Sequence, residues 1–172
     1  MQHPHPRPSL KAIILLSLLL ISACSGYEVT VNERTVYAPA PLFMDFTVVD
    51  KNLQRCLDQT IEDQRVTEAS RLTRLNCTNA GIQTLAGIEI FAGITTLNLA
   101  DNNLRQVPEL TKLAKLTQVD LRNNQLKALP EALNWLKLTY LDVRDNSALQ
   151  CGDLRQLATD GDLKLWLPAH CH

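Results

Sequence analysis

The chain has 172 residues, a size that one domain usually accounts for, and its 17 basic against 18 acidic residues leave a net charge of −1. With no basic stripe and no block of like charge, nucleic acid is excluded as the expected partner. Hydrophobic residues make up 45% of the chain but aromatic ones only 5%, so the core has to come from Leu, Ile and Val.

The stretch from His3 to Ser9 is polar and Pro-rich, with Arg7 and then Lys11 as positive charges, and Ala12 to Ile21 is apolar apart from Ser17. A positive flank before an apolar run of this length reads as a secretory signal, too short to cross a bilayer comfortably. A buried helix or a retained anchor is the competing reading. Ile21-Ser22-Ala23-Cys24 closes the run with an aliphatic residue, two small residues that let a peptidase approach the backbone, and a thiol able to take diacylglycerol. These four residues resemble the bacterial lipobox. The resemblance implies a signal peptide over 1–23, lipid on Cys24, and anchoring in a membrane of the bacterial envelope. Two or three acyl chains hold a protein there, where one would be marginal. Ser25 rather than Asp after the cysteine implies, by the same resemblance, the outer membrane.

Residues 24–46 then read as the lipidated N-terminus and a tether. Tyr27, Val29 and Val31 alternate as a short strand would, and Ala38-Pro39-Ala40-Pro41 is a stiff, extended spacer. Residues 47–71 read as a helical cap. Asp50 is placed to cap a helix in which Leu53, Cys56, Leu57 and Ile61 share one face.

From residue 72 to 147 the chain repeats itself. Leu72-Thr-Arg-Leu75-Asn-Cys77 recurs as Ile94-Thr-Thr-Leu97-Asn-Leu99, as Leu116-Thr-Gln-Val119-Asp-Leu121 and as Leu138-Thr-Tyr-Leu141-Asp-Val143, each time after 22 residues. A further apolar position follows at Ile82, Leu104, Leu126 and Ala148. This pattern resembles the leucine-rich repeat. It implies an α/β solenoid of about four 22-residue coils, each giving a short strand whose apolar residues point inward, with a helical cap at one end and a short cap at the other. Asn102, Asn124 and Asn146 fall where the chain turns, placed to bond backbone groups of their own and the neighbouring coil. Ala80 departs from this pattern, so the ladder is expected to start one coil late.

On the outer side, Leu85, Ile88 and Phe91 are matched by Val107, Leu110 and Leu113, whereas the third repeat differs, with Leu129-Pro130 and then Leu133 and Leu136. Such spacings suit short helical or 3₁₀ turns, with Pro108 and Pro130 at their starts. The run from Asn52 to Gly87 resembles the cap and first repeat of internalin-like extracellular bacterial repeat proteins. Residues 148–172 read as the closing cap, with Leu154, Leu157, Leu163, Leu165 and Trp166 as its apolar set.

Of the five cysteines, lipid on Cys24 leaves four in an oxidising compartment. Stacked strands lie about 4.8 Å apart, within the reach of a disulfide. The expected pairs are Cys56 with Cys77 and Cys151 with Cys171. The alternative is that Cys77, at an inward position, is a small free core residue.

The mature part holds histidine only at His170 and His172, which leaves a Ser-His or Cys-His system without its usual base. No enzyme activity, metal site or cofactor is expected. The His-Cys-His tail could ligate a metal, but with two nitrogen ligands and a committed thiol it reads as a chain end beside a disulfide. Asp101, Asp120, Asp142 and Asp145 read as solvated polar positions rather than paired catalytic carboxylates.

What remains is the concave sheet, whose outward residues form columns. Thr73, Thr95, Thr117 and Thr139 reflect strand propensity. The candidate binding positions are Arg74, Gln118, Asp120, Arg122, Tyr140, Asp142 and Arg144, because Arg and Tyr are frequent interface anchors. Salt bridges between neighbours on a solvated face are the other reading. Two function classes follow: an envelope-tethered module that binds a protein or peptide, and a structural envelope lipoprotein with no dedicated concave-face ligand.

Overall fold

The computed structural model describes residues 28–130, 137–152, 154 and 163–171. The expectations for the signal peptide, Cys24, Ser25, Tyr27, Leu133, Leu136, Leu157 and His172 lie outside the described residues. The chain divides into two compact units, Met1–Ala40 and Pro41–His172.

The described part of the first unit is an antiparallel hairpin of β1 (Val29–Val31) and β2 (Arg34–Tyr37). Asn32 and Glu33 make its turn with φ of 49° and 62°. Two left-handed residues in succession give the turn whose twist matches a hairpin. The alternation at Val29 and Val31 announced the first strand. The second was not expected, and it replaces part of the tether.

In the second unit Asp50 caps α1 (Lys51–Gln64), accepting the N–H groups of Asn52 and Leu53 at 2.8 and 3.3 Å. Leu53, Leu57 and Ile61, on one face of the helix, are completely buried. The helix also covers an edge of the sheet, since Gln64 Nε2 donates to the Arg74 carbonyl at 3.1 Å. An uncovered edge would be an open template for pairing.

The tether ends earlier than the sequence reading placed it. Leu42, Phe43, Phe46 and Val48 pack on the core, and the Phe43 N–H donates to the Val66 carbonyl at 2.8 Å. The Phe46 ring meets Phe91 edge to face at 5.0 Å, and Phe43 does so at 6.0 Å. Scattered aromatics in a Pro-containing stretch carry no period, so burial there left no mark in the sequence.

The sheet has five parallel strands in sequence order: β3 (Arg74–Asn76), β4 (Thr96–Asn98), β5 (Gln118–Asp120), β6 (Tyr140–Asp142) and β7 (Lys164–Trp166). Leu75, Leu97, Val119, Leu141 and Leu165 form its central row. The first four strands keep the repeat of 22 residues, as in the bond from Thr95 to Thr73. The step from Tyr140 to Lys164 is two residues longer. That slip hides β7, which the sequence reading assigned to a closing cap. Lys164-Leu165-Trp166-Leu167 nevertheless has the order of Tyr140-Leu141-Asp142-Val143.

Beneath the sheet, rows of buried side chains repeat with the strands: Leu72, Ile94, Leu116 and Leu138, then Cys77, Leu99, Leu121 and Val143. The opposite wall is made by Leu85, Ile88 and Phe91 and by Val107, Leu110 and Leu113, all buried. Ile88 and Leu110 lie in the 3₁₀ segments Ile88–Ile90 and Pro108–Lys112, the second with Pro108 in its first turn, and the other four flank them. At Gly93 a Cβ would sit 2.0 Å from the Ser70 carbonyl oxygen, so this position accepts no side chain. Ala148 does not continue the apolar row: it is exposed, and Leu149, 2% exposed, takes the inward place.

Candidate functional site

The site rests on a backbone frame that repeats with the strands. Asn102 Oδ1 accepts the Ile82 N–H at 2.9 Å, and its Nδ2 donates to the carbonyls of Cys77, Leu99 and Ala100. Asn124 makes the same set with Leu104, Leu99, Leu121 and Arg122, and Asn146 with Leu126, Leu121, Val143 and Arg144. Each amide thus fastens one turn to the previous one, which satisfies polar groups that burial would otherwise leave unpaired.

The residue before each ladder position is left-handed: Asn79, Asp101, Asn123 and Asp145 have φ of 55°, 60°, 49° and 58°. Asn and Asp tolerate this region better than other side chains. Asp101 and Asp145 therefore serve the turn. In the sequence Asp101 and Asp145 read as solvated carboxylates, and Asn79 and Asn123, which complete the row, carry no reading of their own.

The first turn, where Ala80 breaks the ladder, is held from the cap instead. Asn52 Nδ2 donates to the Gly81 carbonyl at 2.8 Å, and the second oxygen of Asp50 accepts from Gln83 and Thr84 at 2.7 and 3.3 Å. Burial pushes the Asp50 carboxyl up, but four backbone N–H groups outweigh it and hold the group below its ordinary value.

On the open face of the sheet, two rows run across the strands. One is Arg74, Thr96, Gln118, Tyr140 and Lys164; the other is Asn76, Asn98, Asp120, Asp142 and Trp166. The second row has a shared local geometry. Asn76, Asn98, Asp120 and Asp142 each accept, through Oδ1, the backbone N–H two residues on. Such a turn suits either Asn or Asp. Only at the last two positions is the residue two further on an arginine, and there the carboxylate also meets a guanidinium.

Arg122 reaches Asp120 through Nε at 3.0 Å and Nη2 at 2.9 Å, and its Nε lies 3.5 Å from Asp142 Oδ2. Arg144 reaches Asp142 through Nε at 3.0 Å and Nη2 at 2.5 Å. The Tyr140 hydroxyl donates to Asp142 Oδ2 at 3.3 Å. Trp166 extends the cluster, with the Arg144 guanidinium 4.9 Å above its ring. The structure thus brings together Asp120, Arg122, Tyr140, Asp142 and Arg144, with Gln118 beside Tyr140 in register. Arg74, on β3, stands apart from them. Trp166 was missed as a face residue because its strand is out of phase.

Asp120 and Asp142 are not the solvated positions the sequence reading made them. The Asp142 side chain is 0% exposed and that of Asp120 13%, whereas both arginine side chains are 42% exposed. The acids lie beneath their cations, so the face offers guanidinium edges outward, with exposed Lys164 and Arg74 in the neighbouring row. The Asp120 hydrogen bond raises the Arg122 guanidinium above its ordinary value, and Asp142 does the same for Arg144. Tyr140 is also raised, first by burial and then by the Asp142 and Asp120 charges. All three keep their usual protonation at neutral pH.

The threonine row has a role beyond strand propensity. The hydroxyls of Thr95, Thr117 and Thr139 donate to the carbonyls of Thr73, Thr95 and Thr117 at 3.1–3.2 Å. The expected cysteine pairs are brought together as disulfides, Cys56 to Cys77 and Cys151 to Cys171. Cys151, His170 and Cys171 present their sulfurs and ring nitrogen within 4.8 Å of one another. Both sulfurs are bonded to each other, and His170 Nε2 lies 2.9 Å from the Leu149 carbonyl. Among the described residues, no helix is long and apolar enough to cross a membrane.

The family described as Leucine Rich repeats (2 copies) matches residues 92–135. The match spans β4, the 3₁₀ segment from Pro108 and β5, so this stretch is leucine-rich-repeat sequence. No curated protein matches the chain.

Proposed function

We propose that this leucine-rich-repeat chain is a lipid-anchored, protein-binding module of the bacterial envelope, in the outer membrane, and that the concave face of its solenoid receives the partner. Leucine-rich repeats commonly mediate contacts between proteins. The observation that carries the reading is the arrangement on β5, β6 and β7: the carboxylates of buried Asp142 and largely covered Asp120 beneath, half-exposed guanidiniums above, and Trp166 49% exposed beside them. Arg, Tyr and Trp are the residues most often found to anchor interfaces. Arginines already fixed by their own acids lose less side-chain freedom when a partner arrives. Together Asp120, Arg122, Tyr140, Asp142, Arg144 and Trp166 cover only a few hundred Å², small for a full interface, so the contact extends toward Gln118 and the earlier strands.

Anchoring rests on Ile21-Ser22-Ala23-Cys24 after the apolar run. Absence of an interior histidine supports a binding role over catalysis, with no metal or cofactor. One observation favours the structural alternative: each arginine of the cluster is already paired within the chain, and the pairs tie β5 to β6. Crosslinking in intact cells separates the two readings. A specific protein recovered with the wild type, and lost when Cys24→Ser releases the chain from the membrane, supports an anchored binding module. Recovery of no partner favours the structural lipoprotein. Cys24→Ser protein that stays in membranes at its mature size removes the lipid anchor.

A further inference from the structure

The β1–β2 hairpin gathers exposed apolar side chains on one short element, where the repeats expose them singly, at Ile90 and Trp166. Of the seven large hydrophobic residues exposed among those described, three are Val31 at 54%, Val36 at 61% and Tyr37 at 54%, all within seven residues of one another. A two-stranded hairpin is marginal in water by itself and needs a further strand or an apolar surface to settle on. Exposed apolar residues gathered on one small element mark a place of contact.

The chain itself says what that surface is. Cys24 stands five residues before Val29. Even fully extended, five residues reach about 17 Å, while the headgroup layer on each side of a bilayer is about 5–8 Å thick. With lipid on Cys24, the reading on which this inference rests, the hairpin is confined beside the membrane. Its composition fits that depth: valines for the acyl boundary, a tyrosine suited to the interface, and Arg34, whose stem can lie on apolar surface while its charge stays in water. Ala38-Pro39-Ala40-Pro41 follows as a stiff spacer between the hairpin and the repeats.

We infer that the hairpin docks on the lipid surface through Val31, Val36 and Tyr37, as a second membrane contact beside the acylated cysteine. It would limit the freedom of the anchored end and give the spacer a fixed starting point.

The test uses the lipidated chain in vesicles of phosphatidylethanolamine and phosphatidylglycerol. Intact mass first shows whether Cys24 carries lipid; unlipidated mature protein removes the anchor reading, and this inference with it. For lipidated protein, hydrogen exchange across 28–37 is expected to be at least about tenfold slower than in a Val31→Asp/Val36→Asp variant, while β3 to β6 exchange alike in both. Because the double substitution also weakens the hairpin itself, a second variant, Tyr37→Trp, is read by fluorescence with brominated acyl chains. Quenching above that of the two native tryptophans is expected. Equal exchange in both proteins without added quenching overturns the lipid contact while leaving the anchor standing. Protection that rises with protein density in the vesicles, again without quenching, overturns it in favour of contact between two copies.

Discussion

Arg144 holds the buried carboxylate of Asp142 from above while its guanidinium lies 4.9 Å from the centre of the Trp166 ring. One side chain thus joins the last repeat to the strand that follows it. Asp142→Asn removes the charge that Arg144 and Arg122 share and one of the charges that raise Tyr140. The variant is expected to melt at a lower temperature. Tyrosinate absorbance should show Tyr140 ionising at a lower pH than in the wild type, though still above its ordinary value because burial, the largest cause, is unchanged. A Tyr140 titration that does not move would mean that the hydroxyl and the carboxylate do not meet.

Asn124 is expected to be structural. Alanine there leaves the Leu104 N–H and the carbonyls of Leu99, Leu121 and Arg122 without their amide. Leaving such buried groups unpaired costs about 1–3 kcal/mol. Denaturant unfolding of Asn124→Ala should show a lower midpoint, and an unchanged one would contradict the ladder.

Asp50 ties the cap to the first repeat through both carboxylate oxygens. Loss of the cap bonds alone costs about 0.5–2 kcal/mol in Asp50→Ala, and the unpaired Gln83 and Thr84 amides add to it. The pH dependence follows from the lowered carboxyl. A group ionised more easily in the folded state contributes its stability above the unfolded value of about 4 and loses it as the pH falls through the lower folded value. Stability measured from pH 6 down to pH 2 should fall more for the wild type than for Asp50→Asn. Parallel curves would contradict the assignment.

What was legible in the sequence was whatever repeats in phase. Leu75, Leu97, Val119 and Leu141 announced the strands, and the asparagines announced the ladder, because one backbone geometry returns every 22 residues. What was hidden breaks phase or spans a long separation. Trp166 sits two residues late, so neither the fifth strand nor the burial of Asp142 beneath the face could be read. The second contact of Asp50 crosses 33 residues to a turn that carries no signal of its own. Phe43 and Phe46 pack on Phe91 from a stretch whose prolines read as a spacer. For the candidate site, the columns gave the right neighbours, but which charges face water was settled by packing.

The two disulfides close loops of 21 and 20 residues at the two ends of the repeats. Each is expected to contribute about 2–4 kcal/mol. Non-reduced digests of protein from its native compartment should yield peptides joined through Cys56–Cys77 and Cys151–Cys171, and reduction should lower the melting temperature. Four free thiols would contradict both pairings.

The measurement that tests the proposed function most directly is partner recovery after crosslinking with Arg122→Ala/Tyr140→Ala beside the wild type and Lys112→Ala. Exposed Lys112 pairs with half-buried Glu89, on the 3₁₀ side away from the open face. The double variant is expected to weaken capture by about 2 kcal/mol or more with its fold intact by circular dichroism, and Lys112→Ala to leave capture unchanged. Equal recovery from the double variant, or loss from Lys112→Ala alone, would contradict binding through this face.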